Sequence, residues 1–360
     1  MIEEFFKTER EAINLKLKTY FNDLNNTEKE VLFADFYKQL RKFIIPKNSK
    51  AKRLHSILMI ASFSGIINPI YLNEEIDKIR EISLAVELLH SGHLIHDDLI
   101  DDDNSRRGIP TFHIQLKNEI EKVYKTMDLD KEEELFKLYG RDISILGGAF
   151  GYLLGLDVLK SSKFPDKLKL LAINEYSEGI EYLMKGMIIE EYLSYHNITM
   201  TLEQYLSIAE MQRAKLFEKA TKIGAILARG NLHYQIEPLS EAMLRIGQAH
   251  AIRDDILDME KDIKNKAKNS FLRIIAVQNT DVEQSRILNE IYRLPKLTKN
   301  DVKEVENIFI NTNAMIIAEQ FSKNLIEQAK RFLTNIYPDL NKEQKIFFNE
   351  FSDYIYLRDF

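Results

Sequence analysis

Residues 86–113 read VELLHSGHLIHDDLIDDDNSRRGIPTFH. An apolar stripe of Val86, Leu89, Leu94 and Leu99 among helix formers predicts a helix from Ile82 to about Asp101. Ser105, Gly108 and Pro110 then end it in a loop. Side chains four apart on a helix stack one above another, so Leu89, His93, Asp97 and Asp101 share a line with Asp98 beside it. Three carboxylates are thereby expected to point into one volume. Uncompensated, such a cluster repels itself and raises its own pKa values, whereas hard divalent cations turn that cost into binding. Mg2+ suits it, because that ion takes one or two carboxylates, keeps several waters and completes its shell with phosphate oxygen. Arg106 and Arg107 follow, and planar guanidinium forks are well shaped for phosphate. Carboxylate, metal, diphosphate and arginine make an alternation of charge.

A lone acidic helix end beside a basic loop is usually a solvated surface. Recurrence decides otherwise here: Arg253-Asp254-Asp255-Ile256-Leu257-Asp258 repeats the DDxxD spacing in a second apolar helix, read as Glu241 to Asp262. Asp254, Asp255 and Asp258 form a second candidate ligand set. Both acidic faces are expected to share divalent ions with one diphosphate across a single cavity.

No Pro-, Gly- or Ser-rich linker divides the 360 residues, so one all-helical domain over 1–360 is expected. Within it, 1–45 reads as packing or dimer helices, and 116–138 as a charged insertion, either a solvated segment or a flap over the site. Gly 13 and Pro 7 are few for this length, which points to an all-α bundle of about ten or more helices around a central cavity. A net charge of -6 argues against nucleic acid as a partner. Cys 0 rules out disulfides, thiol nucleophiles and thiolate metal sites, in agreement with a cytoplasmic setting. The start MIEEFFKTER lacks a signal-peptide pattern, and no apolar run reads as long enough to span a bilayer, so lipid contact is expected to be peripheral at most.

On the run HDDLIDDDNSRRGIPTFH and its partner DDILD, the chain resembles the trans-isoprenyl diphosphate synthase (polyprenyl synthetase) family from about Lys50 to the last helices. The resemblance implies the isoprenoid synthase fold, a homodimer, and about two to three Mg2+ ions, with Mn2+ as an alternative. It implies transfer of the prenyl group of an allylic diphosphate onto isopentenyl diphosphate, with release of diphosphate and a proton, and with Asp97, Asp98, Asp101, Arg106 and Asp254 as the catalytic set. Arg106 would hold the allylic diphosphate and Arg107 that of isopentenyl diphosphate. Lys52 matches the lysine of the isopentenyl site, His55 and Ser56 stand where arginine and proline are usual, and Arg53 is a substitute cation. His90 matches a histidine contacting isopentenyl diphosphate.

Other positions depart from the family pattern. Gln212 and Arg213 occupy the places of a lysine-threonine pair, leaving Arg213 or Lys215 to supply the cation. His250-Ala251 replaces phenylalanine-glutamine, and Lys266 and Lys268 stand in a shortened version of a lysine-containing loop. Chain length in such enzymes is read from the wall beneath the first motif. Gly92 is expected to leave room there, His93 to close the channel partly, and Leu89 to lie a turn deeper, which suits a farnesyl or geranylgeranyl product.

The allylic cation is stabilised by its own resonance, so catalysis reduces to leaving-group stabilisation and positioning. Rival readings are a class I terpene cyclase, a regulatory partner of an active synthase, and an HD-type phosphohydrolase suggested by His96-Asp97. The last leaves the second DDxxD unexplained. A calcium loop on Asp101, Asp103 and Ser105 fails, because Phe112 sits where a bidentate glutamate is needed.

Overall fold

Helix formers with few breakers give helices almost throughout the protein, as seen in a computed structural model that describes residues 2–46, 51–106, 108–127, 132–196, 198–265 and 270–358. Arg107, Lys266 and Lys268 lie outside the described residues. The chain packs as two compact units, Met1–Ser64 with Asn68–Tyr176, and Gly65–Ile67 with Ser177–Phe360.

In the first unit, α1 (Ile2–Thr27), α2 (Val31–Ile44), α3 (Leu54–Ile66) and α4 (Pro69–Ile82) precede α5 (Leu84–Ile100), the helix of the first motif. A two-stranded hairpin, β1 (Ser105–Arg106) against β2 (Ile109–Pro110), follows it, with Arg106 opposite Ile109. Then come α6 (Phe112–Thr126), α7 (Glu133–Ser161) and α8 (Asp166–Tyr195), of which the part up to Tyr176 counts with this unit. The α5–α7 contact is backbone against backbone. A Cβ on Gly92 would lie 2.5 Å from the Gly148 carbonyl oxygen, and one on Gly151 would lie 3.0 Å from the Gly92 Cα. Gly92 therefore serves close helix packing, and the expectation that it leaves channel space is corrected. Gly140 does the same for α6, where a Cβ would lie 2.5 Å from the His113 carbonyl oxygen.

The charged segment 116–138 mostly extends α6 and opens α7. A second correction concerns α7, which at 29 residues is long and apolar enough to cross a membrane by length and composition. Length and composition do not separate a membrane span from a core helix, and its glycine seam on α5 places it in the core of its unit.

The second unit begins with the rest of α8 and continues with α9 (Leu202–Ala209), α10 (Lys215–Leu227), α11 (Glu237–Leu257) and α12 (Met259–Lys264). α13 (Phe271–Asn279), α14 (Val282–Arg293), α15 (Lys299–Asn311), α16 (Ala314–Thr334) and α17 (Lys342–Leu357) complete it. The sequence suggests one helix over 202–230. Instead, a π-helical turn at Glu210–Ala214 separates α9 from α10. Gly186 and Gly247 make room for it, since a Cβ on either would collide with Gln212 or Ala214. The helix read as Glu241 to Asp262 is likewise two, because Asp258 (φ -93, ψ 9) ends α11.

Substituting Gly92→Ala drives a methyl group into backbone that has no side chain to move aside. We expect a loss of about 1–3 kcal/mol in stability by chemical denaturation, the usual cost of overpacking. An unchanged midpoint would refute the backbone contact.

Candidate active site

The first motif sits in the last turn of α5, with Asp101 as the C-cap residue, its N–H donating to the Asp97 carbonyl at 2.9 Å. Carboxylates are unfavourable there, because the unpaired carbonyls already carry partial negative charge. The hairpin supplies the compensation. Thr111 Oγ1 donates to the Asp103 carbonyl at 2.7 Å, tying the loop back on itself. Arg106 then reaches over the helix end, pairing through Nε with Asp98 and through a terminal nitrogen with Asp97 Oδ2 at 2.8 Å. Asp98 is fully buried, and burial pushes its carboxyl up to about 6 against the pull of Arg106, with Asp97 and Asp103 adding repulsion.

Beside this pair a cavity is lined by Arg106, His90, Ser91, Leu94, Arg53 and Glu87, among others. His55 packs its ring 4.5 Å from that of His90, and His93 lies 6.4 Å beyond, buried like Leu89. Lys52 is half-buried, just ahead of Arg53. Arg53, at φ 58, is committed internally: it donates to Asn14 at 3.1 Å, Glu87 at 2.5 Å and the Ile44 carbonyl at 2.8 Å. A diphosphate at Arg53 would have to share the guanidinium with the Glu87 carboxylate.

The second motif repeats the design. Asp258 caps α11 and donates its N–H to the Asp254 carbonyl at 2.8 Å. Arg358 pairs with Asp254 on one side, and His250 Nδ1 lies 3.1 Å from Asp254 Oδ2 on the other. Burial opposes ionisation of Asp254, yet His250, Arg358 and Arg213 outweigh it and hold the carboxyl well below the usual range. Asp255 Oδ2 accepts from the Phe271 N–H at 2.6 Å and the Tyr205 hydroxyl at 2.9 Å. Burial pushes it up to about 7 all the same, with Asp262 adding repulsion.

Asp254, Asp255 and Arg213 line one cavity with Tyr205, Gln212 and Ala251. The π turn carries Gln212 to Glu190 Oε2 at 2.7 Å, while Arg213 adds positive charge near both aspartates. Lys215 is directed elsewhere, to Glu218 at 3.4 Å and over the Tyr182 ring at 5.0 Å.

Among the described residues no three His, Asp or Glu side chains converge as a ready metal site. This corrects the expectation of three carboxylates already gathered in one volume: the first two are turned to Arg106. The donor chemistry still fits a hard divalent ion. Asp98 Oδ2 is buried with no hydrogen-bond partner, an acceptor that a cation would satisfy.

Comparison with known proteins places the chain in a family. Residues 36–309 match the family model described as polyprenyl synthetase. The chain belongs to the polyprenyl synthetase family. It is 31% identical to a farnesyl diphosphate synthase of Bacillus subtilis, over 68% of this chain and 73% of the relative. It is 26% identical to a short chain isoprenyl diphosphate synthase of Methanocaldococcus jannaschii, over 84% and 82%. A geranylgeranyl pyrophosphate synthase structure from Corynebacterium glutamicum, complexed with isoprenyl diphosphate and magnesium, shares the fold at TM-score 0.83 and 20% identity, covering 99% of each chain.

Family motifs pick out the aspartates of this polyprenyl synthetase, but not Tyr205, Glu87 or Arg358. Each is recognisable only by a partner distant in sequence.

Asp255 offers a pH test. Its folded pKa of about 7 lies above the ordinary 3.8, so stability present at low pH is lost as pH rises toward 7. Asp255→Asn keeps an oxygen for Phe271 and Tyr205 and removes that loss. In metal-free protein the variant is expected to be more stable than wild type to chemical denaturation at pH 8, by about 1–2 kcal/mol, and no more stable at pH 4. A gain equal at both pH values would rule out the buried charge as its source.

Proposed function

We propose that this chain is a Mg2+-dependent prenyltransferase joining isopentenyl diphosphate to an allylic prenyl diphosphate, with products in the farnesyl to geranylgeranyl range. The observation that carries the reading is the repeated helix-ending DDxxD, each copy neutralised by an arginine, in a member of this family. Asp97, Asp98, Asp101, Asp254, Asp255 and Asp258 would hold the metal, which supplies the charge that makes diphosphate a leaving group. Arg106, already poised over the first motif, donates hydrogen bonds to the same phosphate oxygens. His90, with Lys52, His55 and Arg107, orients isopentenyl diphosphate beside it. Arg213 supplies the cation that the family places on a lysine. Buried His93 and Leu89 limit the length of the growing chain.

Support for these substrates comes from relatives named farnesyl and geranylgeranyl diphosphate synthase. The purified protein is to be incubated with Mg2+, isopentenyl diphosphate and each allylic diphosphate in turn. Elongated diphosphates are expected. Hydrocarbon products would instead identify a cyclase, and no turnover of any primer would favour a regulatory partner. Asp97→Ala and Asp254→Ala should each lower kcat at least about 100-fold, the scale for losing one charge-stabilising contact. Wild-type rates in either would defeat the assignment.

A homodimer fits an exposed apolar stripe on α7, formed by Leu138, Ile145, Leu146 and Leu153. Their spacing puts them on one face of the helix, and a patch of this kind marks an interaction surface. Leu146→Glu with Leu153→Glu is expected to halve the mass found by sedimentation equilibrium. An unaltered dimer would place the interface elsewhere.

A further inference from the structure

Asp254 is neutralised by a residue remote in sequence. Arg358 follows α17, its N–H closing that helix on the Tyr354 carbonyl at 3.1 Å. Its guanidinium donates to the Asp254 carboxylate, to the His250 carbonyl at 3.4 Å and to His250 Nε2 at 3.1 Å. In return, Arg253 Nε donates to the Arg358 carbonyl at 3.1 Å. Ring packing fixes the approach: Phe351 of α17 lies 6.0 Å from Phe217, which meets the His250 ring edge-on at 5.3 Å. Arg358 is 9% exposed, so this is a built contact and not a surface encounter.

The protonation pattern follows from the donors. His250 Nε2 accepts from a guanidinium, which is always a donor, so Nδ1 carries the ring proton and gives it to Asp254. A neutral imidazole leaves Arg358 as the charge paired directly with Asp254, with Arg213 nearby. Both oxygens of that carboxylate are then engaged, Oδ1 by Arg358 and Oδ2 by His250. An incoming metal ion needs at least one of them.

We propose that Arg358 is a resident counter-cation of the second aspartate motif, competing with divalent metal for the Asp254 carboxylate, so that metal loading breaks the Arg358–Asp254 pair. The inference rests on the reading of Asp254 as a metal ligand. Competition is reciprocal: whatever the arginine contributes to holding α17 in the metal-free protein is subtracted from metal affinity. His250, one of the departures from the family pattern, is part of the clasp.

Mn2+ binding, followed by loss of the free-ion electron paramagnetic resonance signal with Mn2+ alone, tests this on the full chain. Arg358→Gln should bind Mn2+ about tenfold more tightly than wild type while its metal-free form melts lower. Arg358→Lys keeps the charge but not the fork, and should fall between the two. Should the glutamine variant fail to fold, the lysine variant alone decides. Affinities equal to wild type in the folded variants would overturn the proposal, leaving Arg358 a structural clasp. Asp254→Asn separates the two readings. Lost Mn2+ binding there with no change at Arg358 sinks only the competition, whereas full Mn2+ binding without the Asp254 carboxylate removes the metal reading itself.

Discussion

Negative charge at the C-terminal end of a helix is the constraint to which both motifs answer. α5 and α11 each finish on a DDxxD run, where backbone carbonyls already lack donors, and each adds carboxylates to that end. A guanidinium meets the problem both times. Arg106 comes from a hairpin a few residues on, Arg358 from beyond α17. Two carboxyls, buried Asp98 and half-buried Asp255, are still pushed up to about 6 and about 7, because desolvation exceeds what their neighbours return. The protein keeps its aspartates in a state that further positive charge relieves.

Close backbone packing sets where those ends lie. Gly92 and Gly151 let the backbones of α5 and α7 touch, and Gly148 leaves space for the His96 ring, which fixes the register of Asp97 and Asp98 against a long helix. In the second unit Gly247 admits Ala214 to α11, and the π turn next to it carries Gln212 and Arg213 past the face that an unbroken α-helix would present. Glycines here are contact residues, selected for what they lack.

The sequence pattern reached the all-α architecture and the helices of both motifs, since periodicity and capping are local properties. The end of the first motif helix was legible, with α5 stopping at Ile100 against an expectation of about Asp101, but the break at Asp258 in the second was not. Roles that depend on a distant partner were not. Gly92 reads as an open position until Gly148 is brought against it, and Arg53 as a substitute cation for substrate until Glu87 is seen to engage it. The π turn was hidden because a helix with one extra residue keeps a helical composition. Arg358 stands beside no motif at all, and only tertiary packing gives it a meaning.

Placing Asp101 and Asp258 at C-cap positions makes each motif a hybrid of stiff and compliant oxygen donors. The leading pair lies within the helix, while the trailing member sits at its end, Asp101 and Asp258 still donating their N–H groups to the Asp97 and Asp254 carbonyls. If these carboxylates hold a divalent ion, as proposed, the arm at the helix end is the one that turns to set the bite, and α5 and α11 keep their course.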